Sequence, residues 1–575
     1  MSNRKNFPKL WPHAAALMSG VELAFCFPTW NVGNLVWVAL TPLLAALWFS
    51  EPQKSKKGKT IPRWRHGFLL GYIAGLGFFL TNLWWLWSMA KVAESFWAGL
   101  ASWIALPAYL ALYFGAFGAF AATVGRWILK EPSTEKFTAL APSLDVLRIA
   151  ALNGAAWCGL ELMRGWFMTG FGWNGLGVAL HEYLMLIQIA DIIGVTGLSA
   201  IIMFVNCIAL ATVVRLVREF QERKRMRPHL DFAAGMAVII GVFLYGLQAV
   251  TSRPEKTIDI RTAIIQLNTP IDEKFAGDSA SASKIAWGYT EMTHMFVENS
   301  EIDLVLWPET ALPGRFTFPG IQKFLNETVL PAANFTLITG MEEETLGGKK
   351  IFNSISLLNG STETFQSHKK IHLVPFGEYI PFRESPFPVF EWMFGGIIAK
   401  DFTPGDSYEP LTLTTLKDEK IGIVPLVCFE DTIPDHARRF VREGPQLLIT
   451  VTNNGWFFET ANSHQHVANA KFRCVELKRP MVRAGNTGVS CIIDENGNLY
   501  DRYAESEFLR VVRDEVTDST FIRGSITTKL KIPANPPITF FAKHGNLFSK
   551  ILGGVALIFV IVAVVRAQVA KKASR

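Results

Sequence analysis

Three reactive side chains occupy matching places in this chain. Glu309 follows the apolar run "LVLWP", Cys428 follows "IVPLV", and Lys370 precedes the short "IHLVPFGEY". Acid, amine and thiol together provide a base, a cation for an oxyanion and a nucleophile. The ends of strands are also where α/β folds gather functional groups. Each residue has a plainer reading as well. Glu309 after Pro308 suits a helix cap, Lys370 in "HKK" suits a solvated charge, and free cysteines usually pack in cores. Residue type alone leaves both readings open.

The other candidates are weaker. The chain holds 6 cysteines among 575 residues, none in a CxxC pair, so neither a disulfide framework nor a structural zinc site is expected. Cys474 and Cys491 read as core packing, and Cys26, Cys158 and Cys207 fall in apolar runs. His464 and His466 form an H-x-H without an evident third ligand, so no metal and no cofactor are expected.

The elements that must position the three residues alternate between strand and helix. "IDIRTAIIQL", "IDLVLWPE", "FTLITG", "ISLLNG", "IGIVPLVC" and "QLLITVTNN" read as buried strands. "SASKIAWGYTEMTHMFVEN" and "HQHVANAKFRCVELKRP" read as helices. This predicts an α/β domain over 251–545, and periodicity leaves open whether its sheets are doubly wound or face each other. Pro425 interrupts the strand leading to Cys428 and predicts an edge or bulge there.

The rest of the chain is far more apolar. Half of all residues are hydrophobic and 18% are charged, where soluble domains carry about 25%. Seven apolar spans are predicted near 10–28, 33–50, 67–89, 96–129, 146–166, 184–214 and 232–250, with an eighth at 551–565. Roughly 20 apolar residues cross a bilayer. The domains predicted are therefore a membrane domain over 1–250, the α/β domain, and a terminal span with its tail over 546–575. The net charge of +7 is carried by clusters such as "EPQKSKKGKTIPRWRH" and "RLVREFQERKRMRPH" beside alternate spans, whereas "FPTWN" and "SMAKVAES" carry almost none. That alternation predicts membrane topology rather than nucleic-acid binding, with both termini cytoplasmic and 251–545 on the opposite side.

Four motifs, "WPETALP", "HKKIHLVPFGEYIPF", "VCFED" and "TNNGWF", resemble the ordered motif series of the nitrilase superfamily. With seven spans before the domain and one after it, the chain is similar to the apolipoprotein N-acyltransferases of Gram-negative bacteria. "RGWFMTGFGW" and "HQHVANAKFRCVELKRPMVRAGNTG" carry the resemblance further. The resemblance implies a polytopic membrane domain of about eight transmembrane helices plus an extracytoplasmic α-β-β-α sandwich in the bacterial inner membrane. It implies an acyl chain moved from a phospholipid, phosphatidylethanolamine, to the N-terminal diacylglyceryl-cysteine of an apolipoprotein. The enzyme would act as a monomer without nucleic acid. By the same resemblance, Glu309 is the general base, Lys370 stabilises the oxyanion and Cys428 is the nucleophile. Glu378 and Glu430 support them. Apart from the resemblance, the aromatic-rich stretch over 386–402 reads either as domain core or as a lid carrying Trp392 and Phe394, and Phe275 and Asn353 are further candidates for substrate contact. Base and cation are both expected to favour a Cys428 thiolate.

The chain departs from the family pattern at Phe429, where tyrosine is usual, at "GFGW" for "GFPW", and at Phe275 in place of tryptophan. Two rival readings remain. A tethered amidase would use the same three residues on a soluble substrate. A transporter would place ionisable groups inside the spans, with Glu161 and Arg164 as candidates.

Overall fold

In the computed structural model the chain divides into two units, Met1–Val250 with Asn546–Arg575, and Thr251–Gly545. The structure describes residues 10–52, 60–128, 140–222, 228–252, 254–345, 347–384, 400–499, 511–514 and 516–573.

The second unit is built from strands buried on both faces. In β1 (Thr257–Gln266), Ile260 and Ile264 point into one cluster while Ala263 and Ile265 point into another, as the two-residue period of a strand requires. β1 pairs antiparallel with β11 (Gly524–Pro533) and parallel with β2 (Leu304–Leu306). β3 (Thr336–Glu344), β4 (Ile351–Asn359) and β5 (Phe365–Lys369) complete a six-stranded sheet ordered β11-β1-β2-β3-β4-β5. A second, five-stranded sheet runs β10-β9-β8-β7-β6. Its strands are β6 (Leu411–Thr414), β7 (Lys420–Val427), β8 (Gln446–Thr452), β9 (Met481–Gly485) and β10 (Cys491–Ile493).

The two sheets face each other. Ile260, Ile264, Leu306 and Ile338 of the first share one core with Ile423, Val427, Ile449 and Val482 of the second. On the outer faces, Ala263, Val305 and Leu337 pack against Ile285, Tyr289 and Met292 of helix Ser279–Val297. Val424, Leu426 and Leu448 pack against Val467, Ala470 and Cys474 of helix Ala461–Leu477. The result is helix, sheet, sheet, helix, which settles the question that strand periodicity left open. Cys474 and Cys491 are buried in the outer core as expected.

The first unit is helical. Five of its described helices are long and apolar enough to cross a membrane: Phe96–Ala121, Ala141–Arg164, Ala190–Gln221, Leu230–Thr251 and Leu547–Ala573. Arg63–Asn82 and Trp84–Val92 form a pair bent by 56°, which raises the number to 6 if it is one span. Among the described residues, five or six of the eight expected spans are met by helices of that length. Trp11–Ala24 has only 14 residues, roughly 21 Å of rise against a hydrocarbon core of about 30 Å. The second expected span is a 3-10 turn followed by the 9-residue helix Thr41–Phe49. The last helix, in contrast, runs well past the expected 551–565. Leu557, Ile558, Ile561 and Val564 on it are each more than half exposed, the signature of an apolar surface made for lipid. Arg63–Asn82 and Phe96–Ala121 approach closely, because a Cβ on Gly71 would lie 2.1 Å from the Phe114 carbonyl oxygen. Small residues at such crossings let backbones touch.

Candidate active site

Glu309 leaves the end of β2 in a turn pressed onto β3. The Gly340 N–H donates to the Pro308 carbonyl at 3.1 Å, and the Gly340 carbonyl accepts from Ala311 at 2.9 Å. Only glycine fits there, since a Cβ on residue 340 would lie 2.5 Å from the Glu309 Cα. The Glu309 carboxylate is buried, and its Oε1 accepts from Asn353 Nδ2 at 2.8 Å.

Lys370 is the first residue beyond β5, its N–H still donating to the Asn353 carbonyl at 2.8 Å. Its side chain is 1% exposed and Nζ donates to Glu378 at 2.8 Å, with Glu309 Oε1 at 4.0 Å. Asn353 Nδ2 also reaches Glu378 at 2.8 Å, so one amide joins the two glutamates. Burial works against the charge of Lys370, but Glu378 and Glu309 outweigh it and hold the ammonium above its ordinary pKa. Burial raises Glu309, with Lys370 opposing and Glu378 reinforcing the shift.

Cys428 follows β7 at φ +53°, a left-handed backbone that non-glycine residues adopt at a cost of order 1–3 kcal/mol. It opens the 3-10 turn Cys428–Thr432 and its Sγ accepts from the Thr452 hydroxyl at 3.3 Å. Unlike the other five cysteines it is only partly buried. Pro425 is accommodated because β6 pairs no further along β7 than Ile423, so among the described residues the proline lies where β7 has no strand neighbour on that side, as its ring requires. The thiol is pushed up to about 12, first by burial and then by the negative charge of Glu309, with Lys370 pulling the other way. This corrects the expectation that base and cation both favour a standing thiolate. Burial disfavours it first and Glu309 second, with Lys370 alone among the three acting towards the thiolate.

Glu430 ties these pieces together. It is fully buried, its Oε1 accepts from the backbone N–H groups of Ile371 and His372 at 2.8 and 2.9 Å, and its Oε2 accepts from Val427 at 2.9 Å. One carboxylate therefore clamps the residues that follow Lys370 to the residue that precedes Cys428. Burial opposes its charge, but His436, 3.3 Å away, and the backbone donors hold it below the usual carboxylate range. His368, Glu430 and His436 place one ligand atom each within 4.8 Å of one another. The oxygens of Glu430 are already engaged by three backbone donors, which leaves little room for a metal among them.

Other expected residues fall elsewhere. Phe275 is 52% exposed and its ring lies 5.3 Å from that of Trp456. Trp392 and Phe394 lie outside the described residues, as does most of 386–402. His466 pairs with Asp431 at 2.9 Å, and Arg483 pairs with the same carboxylate. This buried network beneath the nucleophile turn was not legible in the H-x-H pattern, because Asp431 and Arg483 are remote in sequence. Thr452 and the buried Lys274, whose Nζ donates to the Glu309 carbonyl at 2.9 Å, were also missed.

Residues 19–208 match the family model of the apolipoprotein N-acyltransferase N-terminal domain, and residues 261–508 match that of carbon-nitrogen hydrolase. An apolipoprotein N-acyltransferase of Geobacter metallireducens is 32% identical over 491 residues, covering 84% of this chain and 85% of its own. The chain belongs to the apolipoprotein N-acyltransferase family. A second member, from Rickettsia bellii, is 29% identical over 547 residues and covers 94% of both chains. Another, from Rickettsia prowazekii, is 27% identical over 505 residues, 86% of this chain and 89% of its own. The protein is an acyltransferase of the carbon-nitrogen hydrolase superfamily, with apolar helices that fit a membrane protein.

Proposed function

We propose that the enzyme moves a fatty acyl chain from a phospholipid to the α-amino group of a lipoprotein's N-terminal diacylglyceryl-cysteine, through a thioester on Cys428. The observation that carries this reading is the convergence of a buried acid, a permanently charged amine and a strained thiol on one set of strand ends. Cys428 Sγ attacks the ester carbonyl as its proton passes to Glu309. Lys370, kept charged and in place by Glu378, stabilises the oxyanion; one such donor is worth roughly 3 kcal/mol. Collapse of the tetrahedral species breaks the ester C–O bond, and Glu309 returns its proton to the departing lysophospholipid oxygen. The neutral amine of the lipoprotein then attacks the thioester, Glu309 accepts its proton, and the thiol is restored. This is ping-pong acyl transfer.

Phosphatidylethanolamine is the donor this reading favours, and the working form is a monomer. The catalytic unit lies outside the bacterial inner membrane, with both termini cytoplasmic. The basic clusters on alternate loops support that orientation. Incubation of the purified protein with acyl-labelled phospholipid should give a hydroxylamine-labile adduct at Cys428 that Cys428→Ala lacks. A labelled adduct surviving in that variant removes the assignment. Label released as free fatty acid, with none transferred to an added lipopeptide amine, favours a hydrolase.

A further inference from the structure

Lysine is rarely fully buried unless an opposite charge receives it, yet Lys274 is 5% exposed and its Nζ is given to a backbone carbonyl. That carbonyl belongs to Glu309, at 2.9 Å. The carboxylates that act on the ammonium are those of Glu309 and Glu342. Lys274 ends the one-turn helix Ile271–Lys274, and the next residue is the exposed Phe275, whose ring lies tilted against that of Trp456.

This short segment is anchored from both ends. Before it, the Asn268 N–H donates to the Asn486 carbonyl at 2.8 Å, and Asn486 Nδ2 donates to the Thr269 carbonyl at 2.8 Å. Within it, Ile271 rests on Gly455, where a Cβ would meet its Cδ1 at 3.3 Å. The segment thus carries an aromatic pair on its outer side and an ammonium on its inner side, with little freedom between them.

We propose that Lys274 is a positioning residue for Glu309, which fixes the backbone of the general base and adds positive potential at its carboxylate. The proposal rests on the role given above to Glu309. The groups that face the Glu309 carboxylate are Lys370, Glu378, Asn353, Cys428 and Lys274. Those that face Lys274 are Glu309 and Glu342, the latter itself beside Arg315 and Glu344. Lys370, which also pairs with Glu378, is the larger cationic influence on Glu309, and Lys274 adds a smaller one from the other end of the residue. Burial brings Lys274 down to about 8, with both glutamates opposing, so it is charged below that pH. A cation there lowers the proton affinity of Glu309, and its loss leaves the base protonated to a higher pH.

The test uses the full-length protein in detergent micelles and reads Cys428 alkylation by iodoacetamide against pH, a measurement independent of any lipid substrate. Lys274→Gln keeps a donor for the carbonyl and removes the charge. It should move the acid limb of the profile upward by about one pH unit, a tenfold loss of rate on that limb, while Lys274→Arg keeps the limb near wild type. An unmoved limb in Lys274→Gln overturns the proposal, because a purely structural lysine would lower the rate without shifting it. Should Lys274→Gln not fold, Glu342→Gln serves instead. It leaves the ammonium less compensated and should move the limb downward; an unmoved or raised limb overturns the proposal. Labelling with acylated phospholipid is run beside it. If wild type forms no acyl adduct but the alkylation limb still shifts, the acyl-donor reading fails and the role of Lys274 stands.

Discussion

Glu430 keeps its charge in a fully buried site because His436 and three backbone N–H groups converge on its two oxygens. Glu430→Gln replaces one acceptor oxygen by an NH2 group that faces those donors. Each buried donor so stranded costs about 1–3 kcal/mol. The variant should therefore unfold at a lower temperature and label Cys428 with acyl donor at least tenfold more slowly, both read on the purified protein. His368 beside it gives a pH dependence. Burial lowers it from 6.5 to about 4, with Glu430 opposing and His436 reinforcing the shift. The unfolded state therefore binds the proton first, and stability falls as pH drops from 6.5 towards 4, by about 3 kcal/mol at most. The contribution of Glu430 has its folded pKa depressed, so it is present above its ordinary 4.5 and fades only below it. Thermal unfolding across that window should decline for wild type and less steeply for His368→Gln, the remainder coming from His372, His464 and His466, which burial lowers in the same direction.

At the scale of elements, the site depends on strands ending where a neighbour comes unusually close. β3 presents Gly340 to the Glu309 turn, and β7 outruns β6 so that Pro425 can precede the nucleophile. Gly340→Ala must push Glu309 away from its position beside Asn353 and Lys370. A displacement of about 1 Å at a catalytic group costs on the order of a hundredfold, and acylation of Cys428 should fall by that much while the sandwich still folds; an unimpaired rate would show that β3 does not set the base. The strands themselves were legible because buried β-branched runs have few other uses. That Glu309 and Cys428 sit at strand ends was legible for the same reason, whereas Lys370 was expected before a strand and instead follows β5, whose residues "FQSHK" form no apolar run. Gly340 was not, because its importance lies in a close approach from a strand that carries no reactive residue.

For the whole molecule, the alternation of basic clusters predicts an orientation that can be measured. In a protein otherwise free of cysteine, Ser281→Cys on the catalytic unit should react with a membrane-impermeant maleimide in spheroplasts, and Ser55→Cys in the first basic cluster should react only after lysis. The reverse pattern would invert the topology. The number of crossings is a different matter. Apolar length in the sequence cannot distinguish a straight span from a short helix, a 3-10 turn or a pair bent by 56°, since all of them bury or expose the same residues.

Composition and pattern alone determined that the chain joins apolar helices to an α/β domain, and that Glu309 and Cys428 stand at strand ends. Those features are local, because hydrophobic period and charge placement are written within a few residues of where they act. Tertiary structure decided the rest. It showed two facing sheets, a glutamate that clamps the Lys370 and Cys428 segments together, a buried lysine on the Glu309 carbonyl, and a thiol made less acidic by burial and by Glu309. Each of these depends on burial and on charges brought together from distant parts of the chain, and through-space electrostatics in a low-dielectric interior leaves no mark in the order of residues.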